Sequence, residues 1–343
     1  MKTDIKSLTT EEVREALTEM GEKPFRGEQI YGWLHEKLAV SFQEMSNLSG
    51  GLRRRLEDQF ALPVLTAVQV QKSRLDGTEK YLFRLPDGHL TESVRMRYHH
   101  GNSVCISSQV GCRMGCRFCA STLDGLERGL APSEMLEQIY AITRLSGERV
   151  SNVVVMGMGE PLDNYDNLIR FLALLTGEKG LHMSQRNVTV STCGIAPGIR
   201  RLADEGLQIT LALSLHAVTD EKRKRLMPIT EKYPLEEVLS ACAYYGERTG
   251  RRITCEYSLI AGVNDGDADV AGLAQIAGRL RCHINLIPVN PVTERGFAAP
   301  NHRHVQDFKS RLEKRRVNVT VRREMGRDID GACGQLRRRY ESG

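Results

Sequence analysis

The sequence predicts an α/β protein whose main part is an incomplete, TIM-like (β/α)6 barrel, preceded by a small helical module and a linking β segment. Strand and helix patterns alternate from residue 103 onward, apolar residues recur at every second position between about 64 and 100, and helically spaced apolar stripes precede residue 60. Such alternation is typical of a parallel sheet, and six units are two short of the closed eight-stranded barrel. We therefore divide the chain into residues 1–60, 61–100 and 101–343 and expect one open side in the barrel.

The helical module is predicted from capping signals and apolar stripes. Thr9 with Glu12, and Ser41 with Glu44, fit the capping box that begins a helix. The predicted helices present three apolar stripes: Val13, Leu17 and Met20; Ile30, Trp33, Leu34 and Leu38; Leu52 and Leu56. The basic run Arg53–Arg55 lies opposite the last stripe, so the module is interpreted either as a phosphate-gripping appendage or as a structural cap.

The linking segment contains one residue that does not fit its strand. Leu90, Val94 and Met96 alternate onto one face after the turn at Pro86–Gly88, and Glu92 lies on the same face. Burial there would raise the pKa of Glu92 above the usual value of about 4.3 and suit the carboxyl group to proton transfer. The alternative interpretation is an exposed edge strand with Glu92 in water.

The barrel itself is predicted from regularly spaced strand patterns, each followed by a helical stretch. The strands are expected near residues 103–107, 152–156, 187–191, 208–214, 252–258 and 282–288, with a last strand near 317–322. In such folds the loops at the carboxyl ends of the strands build the functional site.

Small polar residues and glycines stand at these predicted strand ends. They are Gly159 and Glu160, Ser191, Ser214, Leu215 and His216, and Asn290. Glycine lets the backbone approach a ligand closely, and the Glu160 carboxylate is an acceptor for an ammonium group. A satisfied turn hydroxyl explains any one serine, but recurrence in successive units favours a cofactor pocket. His216 is assigned only to the wall of this pocket.

The loop after the first barrel strand carries three cysteines. Cys112, Cys116 and Cys119 are spaced four and then three residues apart, so one tight loop presents three thiolates. Protein-held iron–sulfur clusters and structural zinc both use four ligands, so three thiolates leave one coordination position open for chemistry. A zinc knuckle or a chance cluster is the alternative, although zinc sites more often show two separated CxxC pairs.

The remaining cysteines fall into two groups. Cys105 lies on the first barrel strand, and Cys333 lies between Gly331 and Gly334 in a segment with few packing residues. By spacing alone they are two unrelated thiols. The others stand singly among apolar residues, where a cysteine behaves as a small hydrophobe, and no role is assigned to them: Cys193, Cys242, Cys255 and Cys282.

Composition indicates the compartment more clearly than the partner. The 343 residues include 48 basic and 43 acidic side chains, a net charge of +5. Five basic runs are either solvated helix faces or a phosphate-binding surface: Arg53–Arg55, Lys222–Arg225, Lys314–Arg316, Arg322 with Arg323, and Arg337–Arg339. Nine cysteines without a repeating framework fit a reducing interior. With no apolar signal segment and no run of about 18 apolar residues, we expect a soluble cytoplasmic protein.

The motifs together resemble a known family over nearly the whole chain. The segments "CISSQVGCRMGCRFCAST", "VVVMGMGEPLDNY", "VTVSTCGIAP", "LALSLHA", "RLMPIT", "INLIPVNP" and "VNVTVRREMGRDIDGACGQL" occur in the order seen in radical S-adenosylmethionine (SAM) RNA methyltransferases of the RlmN type. That resemblance implies an incomplete barrel with an N-terminal accessory domain and methylation of adenine at carbon 2. The implied substrates are an adenosine in large-subunit ribosomal RNA and one in transfer RNA.

The resemblance also implies cofactors and residue roles. Cys112, Cys116 and Cys119 match the ligands of a 4Fe–4S cluster. The positions that match the SAM contacts are Gly159, Glu160, Ser191, Ser214, Leu215, His216 and Asn290. Cys333 matches a methyl-carrying cysteine, Cys105 its resolving partner, and Glu92 the proton acceptor. Two SAM molecules per turnover, an electron donor such as flavodoxin or ferredoxin, and a monomeric enzyme are implied as well.

Two other functions remain open from the sequence. The sister Cfr type, which methylates carbon 8 of the same ribosomal adenosine, shares the cluster and both cysteines, although Pro161 and the "IPVNP" block resemble the carbon 2 type more closely. The other is an iron–sulfur or zinc RNA-binding protein without catalysis, for which nothing demands both Cys105 and Cys333.

Overall fold

A computed structural model of the chain describes residues 2–99, 101–290, 292, 294–330 and 334–342. Its N-terminal part is a small module with two short strands and three helices: β1 (Thr3–Asp4), α1 (Thr10–Glu19), α2 (Phe25–His35), α3 (Gly50–Gln59) and β2 (Phe60–Ala61). The predicted apolar stripes form its core, with Leu17, Ile30 and Leu56 fully buried. Three short helices are therefore confirmed.

One of the two predicted capping boxes begins a helix and the other does not. The Thr9 hydroxyl accepts from the Glu12 amide, and the Glu12 carboxylate accepts from the Thr9 amide, at the start of α1. Ser41 and Glu44 instead frame a single 3-10 turn, Phe42–Glu44. The helix α3 begins after Ser49, whose hydroxyl caps it. A capping box fixes only one turn, and the helix prediction at Ser41 was wrong because the serine-rich stretch that follows continues as loop.

Buried polar contacts join the module to the first barrel helix, α4 (Pro132–Ser146). Lys6 and Glu137 form a fully buried ion pair with 2.5 Å between Nζ and Oε1. Arg144 also donates to Glu137, at 2.8 Å. On α2, the His35 ring lies 2.8 Å from the Tyr140 hydroxyl. Separating a buried ion pair leaves an uncompensated charge in the protein interior, which is strongly destabilising. These contacts therefore hold the module against the barrel.

We expect the stability of the protein to fall with acid because of His35. Burial lowers the pKa of His35 from 6.5 to about 3, so between these values the unfolded chain binds a proton that the folded chain does not. The contribution of His35 to the free energy of unfolding is therefore fully present above pH 6.5. It decreases by about 1.4 kcal/mol per pH unit as the pH drops towards 3. Urea unfolding between pH 4.5 and 7.5 should show a flatter pH slope for His35→Gln than for wild type. The exposed His302→Gln is the control, and an unchanged slope in His35→Gln would contradict the assignment.

The linking segment forms three antiparallel strands: β3 (Thr66–Lys72), β4 (Glu79–Arg84) and β5 (Leu90–Tyr98). β5 pairs with β4 on one side and with the first barrel strand, β6 (Gly101–Ile106), on the other. Because β5 has neighbours on both sides, the interpretation of Glu92 as an exposed edge residue is wrong. Glu92 is 3% exposed.

The barrel strands and helices follow in the predicted alternation. After β6 and α4 the elements are β9 (Val150–Val155), α5 (Tyr165–Thr176), β10 (Val188–Thr192), α6 (Ala196–Asp204), β11 (Thr210–Ser214), α7 (Asp220–Leu226), α8 (Leu235–Thr249), β12 (Thr254–Leu259), α9 (Asp267–Leu280), β13 (His283–Pro288), α10 (His302–Lys314), β14 (Val319–Val321) and α11 (Gln335–Ser342). A hairpin of β7 (Gln109–Gly111) and β8 (Leu126–Gly129) stands between β6 and α4.

These strands form one open sheet instead of a closed barrel. Its order is β14-β13-β12-β11-β10-β9-β6-β5-β4-β3, with parallel pairing from β14 to β6. The incomplete barrel and its open side are thereby confirmed, and the carboxyl ends of the parallel strands share one edge. Among the described residues, no helix is long and apolar enough to cross a membrane.

Candidate active site

The three-cysteine loop is held at its base by the hairpin of β7 and β8. The Cys112 amide donates to the carbonyl of Gly125 at 2.7 Å. Gly111 has a φ of +75°, and a β-carbon there would lie 2.0 Å from the same carbonyl oxygen, so only glycine fits. This hairpin, which the sequence analysis did not predict, closes the loop immediately beyond the carboxyl end of β6.

The thiols are close enough to affect one another but are not arranged around a single ion. Burial, together with the charge of Cys119, raises the pKa of Cys112 to about 12. The same causes raise the pKa of Cys116 well above its ordinary value. Within the described ranges, no three His, Cys, Asp or Glu side chains are spaced to hold one metal ion. In an iron–sulfur cluster each thiolate binds a different iron.

Arg223 indicates that an anionic group belongs beside this loop. It is fully buried, and it donates to the carbonyls of Cys193 at 2.5 Å and of Leu215 and Ser214 at 3.2 Å, and to the Thr230 hydroxyl at 2.8 Å. All these acceptors are uncharged, and an unpaired buried charge is costly by several kcal/mol. The interaction of Arg223 with Cys116 places the loop within its field. A thiolate-held cluster would supply the missing negative charge.

Glu160 presents the opposite case at the end of β9. It is 3% exposed, and its carboxylate oxygens accept from the backbone amides of Leu162 at 3.1 Å and of Cys193 at 2.7 Å. Burial raises its pKa, and none of its hydrogen-bond donors in the described chain is a cation. The amino group of SAM is a cation that would fit this acceptor. Gly159, with a φ of +105°, packs where a side chain would collide with Gln109.

His216 packs against the cysteine loop and remains neutral. Its Nδ1 accepts from the Ser258 amide at 2.9 Å, so the other ring nitrogen carries the proton. Its ring meets the Phe118 ring edge-on, with 4.8 Å between centroids. Burial lowers the pKa of His216 to about 3, so it cannot serve as a base near neutral pH. The assignment to the pocket wall agrees with these contacts.

The other predicted cofactor residues also lie at this edge. Ser191 donates to the Val155 carbonyl at 3.0 Å, which joins two strand ends. The Leu215 side chain is fully buried in the hydrophobic core. A cofactor contact at this position would therefore be made by the backbone. Asn290 is exposed and lines a cavity of about 440 Å³. Their roles as SAM contacts remain predictions.

Glu92 and Cys105 lie on the same face of the sheet. Cys105 is opposite Val94 in the register of β5 and β6, and Glu92 is two residues from Val94. Lys80 lies opposite Val94 on the other side, and its Nζ is 2.9 Å from Glu92 Oε2. Of the two positions that the sequence left open for Glu92, the structure shows the buried one, and its surroundings are polar. Lys80 could not be singled out from the sequence, because its contact with Glu92 depends on the register of two strands.

The C-terminal tail docks on the antiparallel strands. Gln71 and Asp330 exchange two hydrogen bonds of 2.9 Å, and Ser73 donates to Asp328 at 2.6 Å. Beyond residues 331–333, the amides of Gly334 and Arg337 donate to Glu92 at 2.7 and 2.6 Å. Cys333 itself lies outside the described residues. Asp330 and Gly334, which flank residues 331–333, are therefore both anchored on the antiparallel strands.

The 440 Å³ cavity brings several of these groups together. Its lining includes Cys105 and Met96 from the sheet, Asn290 beyond β13, and Ile329 and Gln335 from the tail. Exposed arginines line it as well: Arg322, Arg323 and Arg327. The arrangement places a thiol, the cofactor edge of the sheet and the tail around one space with a basic mouth.

An open parallel sheet with a three-thiol loop after its first parallel strand defines a radical SAM protein, and the model of the Radical SAM superfamily matches residues 106–274. The model of the ribosomal RNA large subunit methyltransferase N-terminal domain matches residues 3–62. The protein of Lachnospira eligens named "Probable dual-specificity RNA methyltransferase RlmN" is 61% identical over 338 residues, which cover 98% of this chain and 97% of that protein. This chain belongs to the RlmN family.

Further comparisons agree with this family. The protein of the same name from Lachnoclostridium phytofermentans is 58% identical over 99% of this chain and 95% of its own length. A crystal structure of a radical SAM methyltransferase from Sphaerobacter thermophilus superposes with a TM-score of 0.93 at 42% identity, covering 97% of this chain and 98% of that one. The predicted fold class, family and kind of enzyme are thereby confirmed. Membership implies a 4Fe–4S cluster and SAM.

Proposed function

We propose that this protein methylates carbon 2 of adenosine in large-subunit ribosomal RNA and in transfer RNA, using two SAM molecules per turnover. The observation that carries the proposal is the cavity shared by Cys105, Asn290 and the tail residues Ile329 and Gln335. A thiol, the cofactor edge and the segment next to Cys333 all border a space large enough for one base. A target base must leave its stack to reach such a site.

The chemistry explains why two cysteines are required. Carbon 2 of adenine carries a proton too weakly acidic for ordinary polar methyl transfer. In the proposed sequence the Cys333 thiolate takes a methyl group from one SAM, which leaves as S-adenosylhomocysteine. The deoxyadenosyl group of the second SAM takes a hydrogen atom from that methyl group and leaves as deoxyadenosine, and the methylene carbon bonds to carbon 2. The adduct then gives up its carbon 2 proton and one electron, which the oxidised cluster would take back. The cluster, held by Cys112, Cys116 and Cys119, supplies when bound the electron that cleaves the second SAM. The Cys105 thiolate then attacks the Cys333 sulfur, which releases the methylated RNA and leaves a disulfide that a reductant resets.

Glu92 is proposed to accept the carbon 2 proton of the protein–RNA adduct. A carboxylate offers about four lone-pair sites. Among the described residues, the Lys80 ammonium and the Gly334 amide contact Oε2, and the Arg337 amide donates to Oε1. We propose that the same carboxylate takes the proton.

Mass spectrometry of RNA from a deletion strain tests this function. Ribosomal and transfer RNA should each lack one methyladenosine, and fragmentation of the adenine should place the missing methyl group at carbon 2. Restoring the gene should restore both modifications. A missing methyl group at carbon 8 would instead assign the Cfr-type activity, and unchanged RNA would contradict methylation altogether.

The partners proposed for this reaction follow from its chemistry. The enzyme needs a one-electron donor such as flavodoxin or ferredoxin, and we place it in the cytoplasm, where both RNA substrates occur. Arg322, Arg323 and Arg327 are exposed at the cavity. Arginine binds phosphate through several donors at once, so we propose that the RNA backbone crosses this mouth.

The basic run of the N-terminal module should divide into one RNA contact and two structural residues. Arg53 donates to the Gln43 carbonyl at 2.7 Å, and Arg55 pairs with Glu22 at 2.8 Å, whereas Arg54 is exposed. We expect Arg54→Gln to weaken RNA binding and reduce the slope of log affinity against log salt by about 0.7 to 0.9, the effect of one lost phosphate contact. Filter binding between 50 and 200 mM salt measures this slope. Arg53→Gln is the contrast: it should lower stability and leave the slope alone. Equal slopes in Arg54→Gln and wild type would make the module a structural cap.

A further inference from the structure

A buried lysine joins the two parts of the site that the proposed reaction must coordinate. Lys80 of β4 is fully buried. Its Nζ lies 2.9 Å from Glu92 Oε2 and 2.5 Å from the Asp330 carbonyl oxygen. One ammonium group therefore contacts both the β5 carboxylate and the tail residue that precedes residues 331–333.

The same carboxylate holds the tail on the far side of that segment. Glu92 accepts from the amides of Gly334 and Arg337, which lie at the start of α11. An anionic group is favoured at the N-terminus of a helix because the first amides there lack partners in the helix. Asp330 and Gly334, four positions apart in the chain, are thus both tied to the Lys80–Glu92 pair.

The Lys80–Glu92 ion pair lies beside apolar residues, where an apolar pair would also fit. Leu82, Leu90 and Leu336 form an apolar cluster beside it, and Leu82 is opposite Glu92 in the register. Buried ion pairs are often no more stabilising than apolar residues of similar volume. Unlike leucines, the ion pair fixes the orientation of the Glu92 carboxylate, because each donor contacts a particular oxygen of it.

We propose that Lys80 is a positioning residue of the reaction, which fixes the orientation of the Glu92 carboxylate and holds the tail residues on either side of residues 331–333 in register with it. This proposal rests on the proposed function only for the role of Glu92 and Cys333. We call the contacts of Lys80 with Glu92 and Asp330, and of Glu92 with the Gly334 and Arg337 amides, the clamp. These contacts can be measured without any turnover. The described contacts of Lys80 are with Glu92 and Asp330, and we expect cofactor binding and cleavage to be retained when Lys80 is replaced.

The clamp is tested first by hydrogen exchange of the cluster-loaded protein under anaerobic conditions. In Lys80→Met the Gly334 and Arg337 amides, resolved by peptide mass spectrometry, should exchange at least tenfold faster than in wild type. Lys72→Met is the matched control, since Lys72 stands on the neighbouring strand, is 64% exposed and pairs with Glu79. It should leave the tail unchanged. Unchanged exchange in Lys80→Met would overturn the proposal.

A neutral double variant separates the clamp from general stability. Lys80→Met leaves Glu92 as an unpaired buried charge, and the protein could unfold for that reason alone. The double variant Lys80→Met with Glu92→Leu removes both charges. It should retain the unfolding midpoint of wild type and still show fast exchange of the tail amides. Normal exchange in this folded double variant would overturn the proposal.

The effect of Lys80 on the reaction is measured as the ratio of two products, because a loss of folded protein lowers both products equally. Deoxyadenosine reports SAM cleavage and methyladenosine reports transfer to RNA, so loss of positioning should raise the ratio of deoxyadenosine to methylated RNA at least tenfold in Lys80→Met. Lys80→Gln, which retains donors, should recover part of the coupling. A parallel decrease of both products would assign Lys80 a structural role only and overturn its positioning role. If wild type forms no methylated RNA, the proposed function fails, and the exchange experiment still decides the clamp.

Discussion

Only the Cys105→Ala protein will carry covalently attached RNA on a denaturing gel; the Cys333→Ala protein will carry none. Without Cys333 there is no methyl carrier, so RNA never becomes attached. Without Cys105 the methyl group can still be loaded and added to adenine, but the adduct is not resolved. The expected result is a retarded band in Cys105→Ala that nuclease removes, with methylated RNA product reduced to background in both variants.

The controls for this contrast are a double variant and an unrelated buried thiol. Substituting Cys333 in the Cys105→Ala background should eliminate the retarded band. Cys242 is fully buried on α8, away from the cysteine loop in the chain, and Cys242→Ala should show neither adduct nor large loss of product. If both single variants are inactive and free of adduct, the division of labour between Cys105 and Cys333 is wrong.

Cys116→Ala will abolish both iron binding and deoxyadenosine formation. The loop offers three thiols beside a buried arginine whose acceptors in the described chain are uncharged. A cluster cannot keep its charge and geometry there with two thiolates. Anaerobically reconstituted wild type should bind about four irons and absorb in the visible range. The variant should be colourless and form no deoxyadenosine from SAM and dithionite.

Two results would contradict the cluster assignment. Full iron content in Cys116→Ala would mean that another residue is the ligand. A colourless wild-type protein that binds one zinc would support the zinc interpretation instead. Cys255→Ala is a suitable control, because Cys255 is fully buried and its sulfur lies 3.4 Å from that of Cys282, so it tests loss of a packing thiol without touching the loop.

The strand positions were predictable because each depends on a short stretch of neighbouring residues. Each parallel strand lies within two or three residues of its predicted position, since buried strands need only a short apolar run between breakers. The cysteine loop was predictable for the same reason: its three ligands lie within eight residues. The hairpin that closes the loop was not, because its strands are only three and four residues long.

Groups whose role depends on distant partners were not predictable. Arg223 stands in a run of charges that looks like a solvated helix face, yet it is fully buried among carbonyls at the ends of two strands, β10 and β11. The face of Glu92 followed from alternation, but its burial required the order of the strands, which periodicity does not give. Cys193 was assigned no role, although its backbone contacts both Glu160 and Arg223.

The docking of the tail on β3 and β4 also determines when the enzyme becomes complete during synthesis. Contacts such as Gln71 with Asp330 and Glu92 with Gly334 join residues 259 and 242 positions apart. Loop-closure entropy grows only with the logarithm of length, so this separation affects stability little, but domains form from the N-terminus as the chain emerges. A nascent chain can therefore fold its module, antiparallel strands and cysteine loop while the helix that Glu92 caps is still untranslated. The proposed methyl-transfer half of the site is assembled only after residues 330–337 have been synthesised.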